Sequence, residues 1–167
     1  LLLGSFCLGA SNQQAQSRMV LAQEMVGTEG LSFARLPFGL GDCVRLQALY
    51  QGPHFAGQRS FTQVSFRSDW NDGKAIPEKK YIRVRLTLTN VPIGWSQLSK
   101  TFDDNYQKKI VAQVKDTKIV LPAQPAQPVM GPRPFNVSIK FDAKQVFTQD
   151  WSKGNVLLEL LILGQPK

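Results

Sequence analysis

The sequence predicts an all-β domain built as an antiparallel β-sandwich. Apolar and polar residues alternate with a period of two along several short segments, and turns rich in Gly and Pro separate those segments. The chain of 167 residues has the length of one ordinary domain with a sizeable core. With 43% apolar and 19% charged residues, its composition is typical of a folded globular protein.

The clearest predicted strand covers residues 81–89. Its core face is predicted to carry Ile82, Val84, Leu86 and Leu88, and its solvent face Arg83, Arg85, Thr87 and Thr89. Residues 44–50, 61–67 and 135–141 show related patterns, and residues 110–115 and 117–121 are shorter candidates. About seven strands of this kind resemble immunoglobulin-like or related β-sandwiches, a resemblance that implies a fold and no function.

The last predicted strand, residues 156–163, is apolar on both faces except at Glu159. A strand that is apolar on both faces is typical of the middle of a sheet that is covered on both sides. The pattern alone also allows a short helix. We predict a central strand here, within a sandwich domain that covers residues 44–167.

Residues 1–10 read LLLGSFCLGA and resemble the apolar core and small-residue end of a secretory leader, with cleavage after Ala10. This predicts export to a periplasmic, secreted or membrane-associated location. The alternative is a first core strand of an intracellular protein. Residues 11–43 are predicted to form an extension with a short helix over residues 11–27, and Cys43 to be a buried, small apolar residue.

Several chemistries lack the residues that they need. The chain has one histidine, His54, and two cysteines, and no zinc-type spacing or glycine-rich phosphate loop. The sequence therefore predicts no cofactor and no metal, although acidic turns such as Asp103-Asp104 are compatible with calcium. No internal apolar run reaches the ~18 residues of a membrane span.

Two turns share the pattern F-x-x-D-W-x-x-G, at residues 66–73 and 147–154. One interpretation is a pair of loops that present Trp70 and Trp151 to a carbohydrate. The other is structural: Asp caps the turn, Gly closes it with a positive φ, and Trp covers one end of the core. The structural interpretation is favoured.

Positive charge is concentrated in the second half of the chain. Residues 1–74 carry six basic and five acidic side chains, a net charge of +1, whereas residues 75–167 carry 14 and seven, a net charge of +7. The first cluster of basic residues consists of Lys74, Lys79, Lys80, Arg83 and Arg85. It indicates either a surface that docks an anionic partner or an ordinary solvated face of the sheet.

Residues 122–134 hold five of the ten prolines, and Pro122, Pro125 and Pro128 follow each other at a spacing of three. That spacing fits polyproline II, in which every third residue lies on one face. The proline tract is interpreted either as an arm that docks on a partner or as a stiff crossover between strands.

We therefore predict a non-enzymatic exported domain that binds another macromolecule, a protein in an envelope or membrane-associated assembly. Its tentative binding residues are Arg83, Arg85, Lys79, Lys80, Trp70, Trp151, Pro122, Pro125 and Pro128. The alternative is a module that binds carbohydrate or another polyanion, such as an acidic glycan or an anionic membrane surface. A hydrolase is the third choice, and nucleic acid is not expected because no recognised nucleic-acid motif is present.

Overall fold

The computed structural model describes residues 6–9, 18–21, 38, 43–52, 59–68, 73–106, 112–128, 131–142, 146–149 and 151–164. The strands are β1 (Phe6–Gly9), β2 (Arg18–Leu21), β3 (Cys43–Tyr50), β4 (Arg59–Phe61), β5 (Gln63–Arg67), β6 (Lys79–Val91), β7 (Ala112–Leu121), β8 (Phe135–Lys140), β9 (Phe147–Gln149) and β10 (Asn155–Leu163). Short 3-10 helices cover Trp95–Gln97, Phe102–Asn105 and Trp151–Lys153, and these residues include no α-helix. The predicted antiparallel, mainly β structure is confirmed.

The strands form two four-stranded sheets and one two-stranded ribbon. The first sheet has the order β2-β1-β5-β8, the second has the order β3-β10-β6-β7, and β4 pairs with β9. One core cluster contains side chains from both sheets, such as Val64 and Ile139 from the first and Leu86 and Leu158 from the second. Burying these apolar side chains is the main favourable contribution to folding.

Strand β10 is central, as the sequence predicts. It pairs with β3 on one side and with β6 on the other, and Leu158 lies between Ala48 and Leu88. Its residues from Val156 to Leu160 are all buried, including Glu159, which is 5% exposed. Strand β10 therefore joins β3 to β6 within the second sheet.

The face of β6 that was predicted to be exposed to solvent is buried at Thr87 and Thr89. Val84, Leu86 and Leu88 do lie in the core, but Thr87 and Thr89 on the opposite face are only 1% exposed. Residues 92–106, which we call the covering segment, contribute Ile93, Leu98 and Tyr106 to a second apolar cluster at this face. Alternation predicts the polarity of a strand face, but it does not predict which segment will fold over that face.

Two irregularities in the pairing of β6 with β7 compensate each other. Between the pairs Tyr81–Ile119 and Val84–Thr117, two residues of β6 oppose one residue of β7. Before the next pair, Leu86–Val114, the excess residue is on β7 instead. Arg83, in the first bulge, has a φ of 59°, a value that costs a side chain other than glycine some strain.

The N-terminal residues that the structure describes are extended. Arg18–Leu21 form β2, so the predicted helix is wrong over these four residues, and the rest of residues 11–27 lies outside the described residues. Phe6–Gly9 pair with both β2 and β5, which agrees with the alternative of a first strand. Export stays a prediction.

Cys43 is an exposed free thiol, so the expected burial of this residue is wrong. It begins β3 opposite Leu163, the last residue of β10, and therefore lies at the end of the second sheet. A strand end exposes side chains that the middle of the same strand would bury.

Removing residues 1–10 distinguishes the strand from a leader that is cleaved off. We expect the shortened chain to melt at least about 5 °C lower, because β5 loses a neighbour and β2 loses its only described partner. Thermal unfolding followed by circular dichroism measures the difference. An unchanged melting temperature would contradict a structural role for β1 and favour the leader.

Candidate functional site

The first two basic candidates lie at the start of β6, opposite the end of β7. Lys80 pairs with Val120 and Lys79 with Leu121. Leu121 packs against the core, and because directly opposed residues share one face of a sheet, Lys79 lies on the core side and is half-buried. Lys80 is exposed on the outer side and forms an ion pair with Glu78 at 3.2 Å. Lys80 is therefore the more accessible of the two lysines, although Glu78 partly neutralises its charge.

The two arginine candidates differ in the same way. Arg83 is exposed, in the bulge of β6 that lies opposite Lys118. Arg85 is half-buried, and its Nε is shielded from solvent with no hydrogen-bond partner. The sequence predicts that both side chains are exposed, and this is wrong for Arg85. Charge reversal at Arg85 would therefore disturb packing as well as any docking surface.

The proline tract continues the pairing of β6 with β7. Ile76 and Gln124 exchange two backbone hydrogen bonds, at 3.0 and 2.8 Å, and the N–H of Gln127 donates to the carbonyl of Gly73 at 2.8 Å. The tract then leads from β7 in the second sheet to β8 in the first. The tract is thus a crossover between strands, while its stiffness and its contact with a partner stay predictions.

A buried arginine holds the proline tract against the body of the domain. Arg133 is 2% exposed, and its guanidinium donates to the carbonyl of Pro125 and to that of Lys74, both at 2.9 Å. A charged donor makes stronger hydrogen bonds than a neutral one, and the two carbonyls belong to the two segments that run side by side. Arg133 therefore fastens the tract to residues 73–76.

The basic strand and the proline tract, which are separate features of the sequence, meet along one border of the second sheet. Val120, 41% exposed, is one of the two exposed large apolar residues among those described. Ile119 is buried in the core, so its neighbours Lys118 and Val120 point to the outer face with Lys80. We call this surface the basic–proline edge, and its exposed members are Lys80, Arg83, Lys118, Val120, Pro125 and Pro128.

Trp95, the tryptophan whose side chain the structure describes, lies away from this surface. Trp70 and the side chain of Trp151 lie outside the described residues, whereas Trp95 is 73% exposed on the covering segment, which follows the far end of β6. The repeated turn has a structural role where it is described. Phe66 and Phe147 are both buried, and Gly73 and Gly154 have φ values of 73° and 102°. At Gly154 a Cβ would also collide with the carbonyl of Val91.

A buried polar cluster lies beneath the covering segment. The Glu159 carboxylate accepts hydrogen bonds from Arg45 Nε and Gln47 Nε2, both at 2.8 Å. Arg45 also pairs with Asp103, and Asn105 donates to Gln47 at 2.8 Å. The covering segment is thus bound to β3 and β10 through one buried carboxylate. The single charge in an otherwise apolar strand was the only signal of this cluster in the sequence.

The charges in this cluster affect each other's protonation. Burial opposes the charge on Arg45, but its hydrogen bonds to Asp103 and Glu159 outweigh this effect and raise its pKa above the ordinary value. Burial also raises the pKa of Tyr106, and the negative charge of Glu159 raises it further. Burial alone raises the pKa of Tyr50. These groups therefore keep their protons at neutral pH.

Neither a metal-binding cluster nor a helix of membrane-spanning type is found among the described residues. Across the ranges given above, no group of three or more His, Cys, Asp or Glu side chains is placed to hold a metal ion. In the same part of the chain, no helix has the length and hydropathy that a membrane span requires. The acidic turn at Asp103 and Asp104 is occupied by Arg45 and by the hydroxyl of Ser99, which donates to Asp104 at 3.2 Å.

No protein-family model, curated protein or solved structure matches this chain.

Replacing Arg133 tests how the proline tract is held. We expect Arg133→Met to lower the free energy of unfolding by about 1–3 kcal/mol, because the carbonyls of Pro125 and Lys74 lose a charged donor. Urea unfolding measures the loss, and Lys140→Met, an exposed position on β8, should change stability by less than about 0.5 kcal/mol. Equal stability of the two variants would show that Arg133 does not fasten the tract.

Two half-buried tyrosines predict a loss of stability in alkali. Because the folded-state pKa values of Tyr50 and Tyr106 lie above the ordinary 10.0, the unfolded chain loses these protons first as the pH rises. Their contribution is complete below about pH 10 and then falls by up to about 1.4 kcal/mol per pH unit for each group. Urea unfolding between pH 9 and 11 measures the slope. Tyr50→Phe with Tyr106→Phe should flatten it, and an unchanged slope would contradict the assignment.

Proposed function

We propose that this chain is a non-enzymatic binding domain that uses the basic–proline edge to bind an acidic surface of a protein. The observation that supports it most directly is the meeting of exposed lysines, an exposed valine and exposed prolines along one border of the second sheet. The finer fold that we infer is a sandwich, immunoglobulin-like or related, because both four-stranded sheets contribute to one core.

The chemistry of the edge favours a protein over a simpler polyanion. Lys80 and Lys118 supply positive charge, but Val120 between them, at 41% exposure, is apolar. Protein interfaces combine a desolvated apolar centre with a polar rim, whereas glycans and lipid headgroups present mainly charge to a surface of this kind. A net charge of +8 also speeds the approach of an acidic partner.

The alternative of a carbohydrate-binding module rests on Trp95. Its side chain is 73% exposed, and an exposed aromatic ring gives a flat apolar face with a polar edge. It lies on the covering segment and not on the basic–proline edge, so the two candidates use different surfaces. Export, the association with an envelope, and the third choice of a hydrolase remain predictions from the sequence.

Charge reversal at the edge tests the proposal, with fluorescent poly-L-glutamate as the probe. We expect Lys80→Glu with Lys118→Glu to weaken binding at least about tenfold, because both side chains flank Val120 and would then repel the probe. Fluorescence anisotropy measures the affinity, which should also fall as salt rises from about 0.1 to 0.5 M. The matched control, Lys100→Glu with Lys140→Glu, changes the net charge equally at two exposed sites elsewhere and should weaken binding less than about threefold.

Heparin and vesicles of phosphatidylglycerol serve as competing probes. Equal weakening by the control pair would show that net charge alone drives binding and would contradict the proposal. Tight binding of heparin or vesicles through Lys80 and Lys118, with none of poly-L-glutamate, would replace a protein partner by a glycan or a membrane. Heparin binding that depends on Trp95 would instead support the carbohydrate alternative.

A further inference from the structure

The proline tract contains a repeat whose inner face is fixed to the domain. Residues 122–128 read PAQPAQP, so glutamine recurs every third residue. Gln124 is 6% exposed and exchanges backbone hydrogen bonds with Ile76, and Gln127 donates its N–H to Gly73. In a polyproline II conformation residues three apart share one face. The two glutamines therefore form the face that the tract turns toward the body.

The remaining two faces of the repeat are apolar and open to solvent. Their exposed residues are Ala123, Pro125, Ala126 and Pro128, while Pro122 is half-buried where the tract leaves β7. These side chains have neither a charge nor a hydrogen-bonding group. The tract thus presents a narrow ridge of alternating proline and alanine.

The ridge is ordered before any partner arrives. Arg133 holds the carbonyl of Pro125, and the two glutamine side chains bond locally: Gln124 Nε2 to the carbonyl of Pro122 at 3.1 Å, and Gln127 Nε2 to that of Gly131 at 3.0 Å. Proline removes further freedom by fixing φ. A segment that is already ordered loses less conformational entropy on docking.

We propose that this ridge docks in an aromatic-lined groove of a partner domain, with acidic side chains on the rim of the groove; this inference rests on the proposed function. Prolines spaced in this way fit between aromatic rings, which recognise the polyproline II shape without needing hydrogen bonds from the prolines. The exposed Lys74 lies beside the ridge, and Lys118 lies just before it, so an acidic rim complements both. A second copy of this chain, with its own charge of +8, is a poor partner.

The test uses the whole chain, isotope-labelled for nuclear magnetic resonance, and a panel of purified SH3 and WW domains with acidic groove rims. We expect at least one domain to shift the signals of residues 122–128 in a saturable way. Pro125→Ala with Pro128→Ala should weaken that binding at least about tenfold, because the rings lose the side chains that they enclose. The control, Pro92→Ala with Pro134→Ala, removes two exposed prolines outside the repeat and should change binding less than about twofold.

A second variant controls for the possibility that removing two prolines changes the conformation of the ridge. Ala126→Asp keeps every hydrogen bond described above and places a negative charge against the acidic rim, so it should also weaken binding at least about tenfold. The inference would be overturned if no signal of residues 122–128 shifted at about 1 mM of added domain. A Kd of about 1 mM corresponds to a binding free energy of roughly 4 kcal/mol. Unchanged binding in both ridge variants would overturn the inference as well.

The two proposals fail separately. Loss of the ridge prolines should leave the affinity for poly-L-glutamate within about twofold of the original, since the lysines are intact. If poly-L-glutamate binds through Lys80 and Lys118 but no domain of the panel contacts the ridge, the proposed docking in an aromatic groove is wrong. The proposal of an acidic partner is then still supported. If neither probe depends on the edge, both proposals fall.

Discussion

The burial of β10 on both faces is the constraint on which the rest of the structure depends. One face joins the core that the two sheets share, and the other lies under the covering segment. A carboxylate in such a place is costly unless it is hydrogen-bonded and paired. Glu159 meets this requirement through Arg45 and Gln47, which in turn contact residues of the covering segment. The buried carboxylate of Glu159 is thus linked, through Arg45 and Gln47, to the covering segment.

The pairing of β6 with β7 decides what the surface presents. The register is the same at Leu88–Ala112, at Lys79–Leu121 and at Ile76–Gln124, because the two bulges between them cancel. An uncompensated bulge would shift one strand by a residue and turn alternate side chains to the wrong face. Cancellation keeps Ile119 in the core and Lys118 and Val120 outside it, next to the start of the proline tract. Two features that lie about 40 residues apart in the sequence become neighbours by this route.

Sequence patterns predicted the parts of the fold that depend on local alternation. The core face of β6, the central place of β10 and the positive φ of Gly73 all follow from residues close to one another in the chain. The burial of Thr87, Thr89 and the Nε of Arg85 does not follow from local alternation, since it depends on which distant segment comes near. The exposure of Cys43 depends on where strand β3 begins. Lys80, Arg83, Pro125 and Pro128 were among the predicted binding residues, but Lys118 and Val120 were not, and the sequence did not indicate that these residues meet on one surface. Arg133 gave no signal, because nothing local distinguishes a buried arginine from a solvated one.

The proline tract also limits how this sheet can grow. The open border of a sheet offers unpaired amides to any passing extended chain, which is a common beginning of aggregation and of strand exchange between molecules. A strand that approached the proline tract would find no amide donor at Pro122, Pro125 or Pro128. A regular ladder of hydrogen bonds could therefore not form along the tract. The prolines therefore leave their own side chains available to a partner at this border, but they prevent another strand from pairing with it. Association at this border is therefore restricted to partners that recognise side-chain shape and charge.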